Sequence, residues 1–524
     1  MTDDRGLRTG NRGLRILLSI ETLWVALVVV VALALGCRAA IRPNDFWWHL
    51  KVGEIIYATG QVPTTDLFSY TAHGQPWLYQ SWLAEVTFHL LYTLGGLELI
   101  AAIQGLLFAT ATLLVCLHAW STSRNVRLAA LTTALMVGIA VAHLSVRPQM
   151  FSYPLFALFG LLLWRDRQQG THWVWLVPAL MALWVNLHGA FTLGLALIAL
   201  TLVSETTKRL LRWGEVVPWS RIGRLAAIGV VSLLACLINP RGLDIARYLA
   251  GFQAHEITQT LGREWQPTTP REFLGLLFFA SALLALAALL YSTRQRDLTD
   301  LILLLAFGWL GSGAIRGTVW YGLVMAPILA RYLAAIPLRS AAWDLTWLLG
   351  RFRRLAAPRQ PMRLAAALNL MLLGVLALGA GLALPWVDIR PLVPAPLRGN
   401  LTLVSPDTPV AAADYLAMHA PNARIFHTEA YGSYLDWRFY PQMPVFVDTR
   451  LELYPPAVWR DYLALSYGRH DWQERLARYD VDTLMLDKDR MAGLVSAAGV
   501  APGWTRVYED DVTVIYRRVE AGHE

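Results

Sequence analysis

Asp45 and His49 stand four residues apart in the stretch PNDFWWHLKVGEIIYATGQVPTTDLFSYTAHGQPWLYQSWLAEV, residues 43–85. On a helix that spacing puts both side chains on one side. A carboxylate beside a neutral imidazole can accept a proton, orient a hydroxyl or hold a divalent cation through oxygen and nitrogen. Two more acids follow, Asp66 in PTTDLFSYT and Glu85 in SWLAEV. Asp45, Glu85 and Asp66 are therefore the candidate catalytic groups, and Asp45, His49 and Asp66 the candidate ligands should a divalent metal be used. Each acid also has a plainer reading. Asp45 can cap the helix that opens at Phe46, Asp66 can close a turn, and Glu85, inside an apolar helical stretch, needs a partner merely to be buried. The setting favours use: Trp47, Trp48, Trp77 and Trp82 are the residue type that anchors at a membrane interface. Carboxylates at that depth are costly unless solvated or employed.

Polar groups that could meet an anionic substrate recur further along, always where one apolar run gives way to the next. Arg147 and Gln149 lie in HLSVRPQM, Asn186 and His188 in WVNLHG, Asn239 and Arg241 in INPRG, Glu264 in REWQP and Arg316 in AIRGTVWY. A planar guanidinium at a membrane boundary suits a lipid phosphate, although non-specific snorkelling to headgroups is the alternative. Singly, Asn186, His188, Asn239 and Arg241 each read as a helix terminator. Five such clusters on one face make a site, because random loop placement would scatter them.

The elements that must position these groups are membrane spans. The chain has 524 residues, 56% of them hydrophobic and 16% charged, with a mean hydropathy of +0.43. Soluble domains carry roughly 25% charged residues. The net charge of +8 comes mostly from Arg in short loops, which fits topology signals and not nucleic-acid binding. Cys37, Cys116 and Cys236 all fall in apolar runs and offer neither a disulfide framework nor a metal spacing. The run 17–39 is longer than a signal-peptide core and reads as an uncleaved first span.

Arg5, Arg8, Arg12 and Arg15 precede that span and predict a cytoplasmic N-terminus with Asp45 outside. Later loops alternate between a basic, plain kind (121–127, 165–169, 208–224, 294–297 and 339–363) and the particular kind that holds the candidate residues. This gives about eleven crossings of roughly twenty residues in residues 1–387, with a large first outer loop at 40–96. Within it, 82–94, which ends at Gly95-Gly96, reads as an embedded or interfacial helix and not a span. Residues 388–524 are polar and predict a small soluble extracytoplasmic α/β domain of ordinary size. Helices are expected at 410–418, 457–469 and 472–479, strands at 423–426, 444–447 and 483–486, and a terminal hairpin at 505–517. The fold class is thus a polytopic α-helical membrane protein of the plasma (inner) membrane with an α/β tail on its outer face.

The run PNDFWWHL…DLFSYT…PWL…WLAE, after one span and before many, resembles the GT-C superfamily of membrane glycosyltransferases. The resemblance is strongest to a bacterial branch near the protein mannosyltransferases and the RgtA/B/C/D-like groups. It implies a polyprenyl-phosphate-linked sugar donor, an envelope acceptor and inversion at the anomeric carbon. It also implies that the early outer-loop acid, here Asp45, is the catalytic base. The Asp-Glu pair of mannosyltransferases is absent, since Asn44 precedes and Phe46 follows Asp45, which leaves donor sugar and acceptor open. Likewise EAYGSYLDWRFYPQMPVFVDTRLELYP is similar in placement to the WWDYG region of oligosaccharyltransferases. That implies an acceptor groove lined by Tyr431, Asp436, Asp448 and Arg450, with an internal Asp448–Arg450 salt bridge plus turn chemistry as the alternative. In the mechanism so implied, Arg147, Arg241 or Arg316 meets the donor phosphate while Asp45 deprotonates the acceptor. The rival readings are a transporter or flippase of polyprenyl-linked saccharide and a non-catalytic lipid-binding scaffold. Transporters tend to show inverted repeats and midplane charges, and neither is found here.

Overall fold

The computed structural model describes residues 19–245, 262–337, 362–394 and 401–519. The N-terminal arginines, loop 339–363 apart from its last two residues, and the stretch 246–261 lie outside the described residues. Twelve helices make up the described apolar part: α1 (Ile20–Cys37), α2 (Phe46–Thr59), α3 (Trp82–Ser123), α4 (Val126–Ala140), α5 (Ser152–Gln169), α6 (Leu176–Leu187), α7 (Phe191–Leu211), α8 (Trp219–Ala235), α9 (Phe273–Tyr291), α10 (Leu298–Gly313), α11 (Thr318–Leu333) and α12 (Met362–Ala383). Six of the described helices are long and apolar enough to cross a membrane unaided, and two shorter apolar ones accompany them. The chain is a multi-pass membrane protein.

Two charged layers mark the ends of this bundle. Helix α5 starts just after Arg147 and carries Arg167 near its other end; its 18 residues span roughly 27 Å at 1.5 Å each. At the Arg167 end the charges are sealed among apolar side chains. Arg167 meets Glu205 at 2.6 Å and Asp297 at 3.0 Å, Lys208 meets Glu205 at 2.8 Å, and Arg331 meets Asp300 at 2.7 Å. Three cations and three anions balance there, as buried charge requires. The sequence-predicted site residues gather at the opposite end. Arg38 at the end of α1 donates to the carbonyls of Leu382, Leu384 and Val387 at 2.6–2.9 Å. That pins the exit of α12, and so the start of the tail, to the Asp45 end.

Helix α3 is two helices joined at a kink. Gly96 sits at φ 65°, a left-handed conformation that costs glycine little. The Gly95-Gly96 pair thus ends the short 82–94 segment before the long helix begins.

The tail adds α13 (Val410–His419), β1 (Ile425–His427), α14 (Glu429–Phe439), α15 (Pro456–Ser466), α16 (Trp472–Arg478), β2 (Thr483–Asp487), α17 (Ala492–Val500), β3 (Trp504–Glu509) and β4 (Thr513–Arg518). The four strands lie in the order β1-β2-β4-β3. β1 is parallel to β2, and β4 runs antiparallel to both β2 and β3. The expected strand at 444–447 is corrected: it joins no named strand and bonds instead to the first outer loop. Val445 donates to the Phe68 carbonyl and accepts from Tyr70, both at 3.0 Å. Helices α14 and α17 were not anticipated. Two apolar cores straddle the junction between loop and tail. One joins Trp48, Phe68, Trp77 and Tyr79 to Phe446, Trp459 and Leu484; the other joins Phe46, Trp47 and Phe88 to Leu416, Tyr431 and Ile515.

Candidate active site

Asp45 holds the N-cap position of α2, yet its side chain makes no capping bond. The Asn44 side-chain oxygen accepts the Phe46 amide instead, at 3.3 Å. Asp45 is thereby left to face Arg147, whose Nε lies 3.5 Å from Oδ2. Arg147 Nη1 reaches Glu264 at 3.1 Å, and Glu264 receives Arg316 Nη1 at 3.5 Å. Arg316 stacks 4.2 Å over the Trp265 ring. Four charged side chains from four separate loops therefore form one chain: Asp45, Arg147, Glu264, Arg316. All keep between 24% and 39% of their side-chain surface exposed, so the cluster is open where the inner network is closed. Burial alone would raise the Glu264 carboxyl, but Arg147 and Arg316 hold it below its ordinary value.

His188 borders this cluster, within electrostatic reach of Arg316, His49, Glu264 and Arg147. Its Nδ1 accepts from the Ala190 amide at 3.3 Å and lies 3.0 Å from the Ser152 hydroxyl, which leaves the ring proton on Nε2. Gln149 sits beside the Tyr153 hydroxyl. The loop that carries Glu264 is bracketed by Ile315, whose amide donates to the Gln266 carbonyl at 3.0 Å. His143 adds a contact to Thr318 at 2.8 Å.

Behind the open cluster lies a buried pair. His49 Nδ1 meets Glu85 Oε1 at 2.9 Å, with Glu85 fully buried. The contact depends on how closely α2 crosses the first part of α3. A Cβ on Gly53 would fall 2.0 Å from the Glu85 carbonyl, so only glycine permits that approach. Burial pushes the His49 imidazole below its ordinary value despite the Glu85 carboxylate, and the second Glu85 oxygen has no partner.

Asp66, Asp448 and Arg450 come together elsewhere. Arg450 donates to Asp66 at 2.6 Å and to Asp448 at 3.0 Å, and lies 5.3–5.5 Å from the ring centres of Phe68, Trp77 and Trp48. Its side chain is 1% exposed and both acids are fully buried. Asp66 also accepts from the amides of Phe68 and Ser69 and from the Ser69 hydroxyl. A third acid, Asp436, is buried against Asp448; desolvation first and the neighbouring Asp448 second hold its carboxyl well above the usual range. This group clamps the first loop to the tail and lines no groove. Tyr431 is buried too, its hydroxyl 3.0 Å from Thr513 and 3.4 Å from Asp487.

The asparagines act locally. Asn186 accepts from Trp82 Nε1 at 2.7 Å and donates to Ala182 and Ile238 carbonyls. Asn239 caps its own turn through the Arg241 amide at 2.8 Å, and Arg241 donates to the Pro63 carbonyl. The candidate metal ligands are not brought together: Asp45 faces Arg147, His49 faces Glu85 and Asp66 faces Arg450. Among the described residues no three His, Cys, Asp or Glu converge as metal ligands. As placed, these three residues do not fit a shared metal.

No protein-family model and no curated protein matches the chain. Solved structures do match it along most of its length. ArnT from Cupriavidus metallidurans bound to undecaprenyl phosphate is 16% identical with a TM-score of 0.51, over 96% of this chain and 99% of that one. Its apo state is 18% identical with a TM-score of 0.52, over 97% and 100%. The arabinofuranosyltransferase AftD from Mycobacteria is 16% identical with a TM-score of 0.54 over 95% of this chain, which spans only 40% of AftD. Along most of its length the chain therefore shares the fold of ArnT and of the matching part of AftD.

Proposed function

We propose that the protein is an inverting membrane glycosyltransferase that moves a sugar from a polyprenyl-phosphate donor to an envelope acceptor. The observation that carries this reading is the open chain of Asp45, Arg147, Glu264 and Arg316 at one end of the bundle. It supplies a partly exposed carboxylate and two guanidinium groups beside apolar helices, which is what a lipid phosphate and a nucleophile to be deprotonated require. Undecaprenyl phosphate bound to ArnT supports a donor of that class.

In this reading Arg147 and Arg316 meet the donor phosphate and offset the charge that grows on it as the sugar departs. Arg241 stands by at the loop edge. Asp45 takes the proton of the acceptor hydroxyl, and direct displacement inverts the anomeric carbon. His188 and Gln149 contact the sugar or phosphate, and the Glu85–His49 pair fixes the first turn of α2 from behind. Asp66, Asp448 and Arg450 hold the loop against the tail. The site faces outside, with the N-terminus cytoplasmic and residues 388–524 a soluble module over the site.

Mass spectrometry of envelope glycans and glycoproteins in a deletion strain is the test. Wild type should restore the missing glycoform and Asp45→Asn should not. Restoration by Asp45→Asn would remove transfer chemistry from Asp45, and a deletion that merely strands lipid-linked sugar on one leaflet would favour a flippase.

A further inference from the structure

One hydroxyl fixes the tail against the site. Ser433 on α14 donates to the Asn44 carbonyl at 2.5 Å and accepts the Trp48 amide at 3.1 Å. Those two groups would otherwise bond to each other as the first turn of α2, so Ser433 is sewn into the turn that presents Asp45. Glu429 lies one helical turn earlier on α14, on the same face. Its amide donates to the Tyr462 hydroxyl at 2.6 Å, which fixes the backbone at the start of the helix. No hydrogen bond or ion pair occupies its carboxyl group among the described residues.

We propose that Glu429 is the acceptor-side carboxyl of the site, donating a hydrogen bond to the hydroxyl-bearing acceptor that Asp45 deprotonates. This rests on the transferase reading above. The charged groups that bear on Glu429 are Asp45 from the first loop, Arg490 from the β2–α17 turn, Asp448 and Arg147; Tyr462 faces it from α15. Burial first, and the Asp45 carboxylate second, push its carboxyl up to about 7, because two neighbouring acids do not both ionise cheaply. Its proton is present below about pH 7 and lost above it. Near neutrality one acid of the pair can accept a proton while the other still donates a hydrogen bond, so an acceptor hydroxyl lying between them is gripped from both sides. The acceptor would then enter along the seam between the first loop and α14.

The test has two arms on the full-length protein. In the first, a deletion strain is complemented with variants and its envelope product is measured at medium pH 6 and pH 8. Glu429→Ala should lower product roughly tenfold, about one hydrogen bond. Glu429→Gln, which keeps a neutral donor, should rescue it and remove the decline between pH 6 and 8. In the second arm, infrared difference spectra of the purified protein follow protonated carboxyl bands. A band that titrates near pH 7 should vanish in Glu429→Gln and move to lower pH in Asp45→Asn. Wild-type product from Glu429→Ala in a strain where Asp45→Asn is dead would overturn the inference and spare the transferase reading. So would a band indifferent to Asp45→Asn. Product from Asp45→Asn would remove transfer chemistry from Asp45, on which the transferase mechanism rests, and the infrared coupling would then decide the placement of Glu429.

Discussion

Arg147 and Arg450 are both arginines flanked by two carboxylates where the first outer loop meets the rest of the protein, and their surroundings assign them opposite work. Arg450 is 1% exposed, and Asp66 and Asp448 spend their oxygens on it and on the backbone. Three aromatic rings enclose what remains. Arg147 is 25% exposed, its partner Asp45 stands off at 3.5 Å, and its Nε has no hydrogen bond. A buried charge that lost its partner would be stranded, so the Arg450 cluster is rigid and saturated. An exposed pair at longer range exchanges partners at little cost, so the Arg147 cluster can accept a phosphate. Residue type alone does not separate scaffold from site; burial and unspent hydrogen-bonding capacity do.

That contrast can be broken from either side. The largest effect is expected at Asp45, where Asn should cut product formation by about 10²–10⁴, the range for loss of a general base, with thermal stability unchanged. Next comes Arg450→Met, which strands two buried acids and should destabilise by about 3–5 kcal/mol. Thermal unfolding in detergent would read it, and intact stability would mean that Arg450 is not the clamp. Arg147→Lys keeps the charge but loses the planar fork; roughly tenfold less product at wild-type stability would set it apart from Arg450. Smallest is Asp436→Asn. Its folded carboxyl is raised and so stays protonated, which favours the folded state at low pH and costs stability as pH rises above the unfolded value of about 4. Asparagine mimics the protonated form and should stay within about 1 kcal/mol of wild type at pH 5 while flattening the decline toward pH 8.

Much of this arrangement was legible in the sequence, for identifiable reasons. Apolar runs and arginine placement separate the two ends of the bundle, because hydropathy and loop charge are local properties. The same alternation gathers Asp45, Arg147, Glu264 and Arg316, since loops that face the same way must meet. The division of the acids was not legible. Asp45 and Asp66 each precede an aromatic or apolar run, and only the distant Arg450 makes one a clamp while Arg147 keeps the other free. Residues 444–447 have the composition of a strand, but the missing partner is Ser69–Tyr70 in the first loop, some 375 positions away. Glu429 gave no signal beyond an acid in a helix's first turn, because its neighbour Asp45 comes from the far end of the chain.

The central claim is that the Arg147 cluster, and not the Arg450 cluster, receives a polyprenyl phosphate. Binding of undecaprenyl phosphate to the purified full-length protein tests it most directly. The Arg147→Ala/Arg316→Ala double variant should bind at least tenfold more weakly than wild type, while Asp45→Asn should bind as tightly as wild type or more so. Equal affinity across all three proteins would contradict the account.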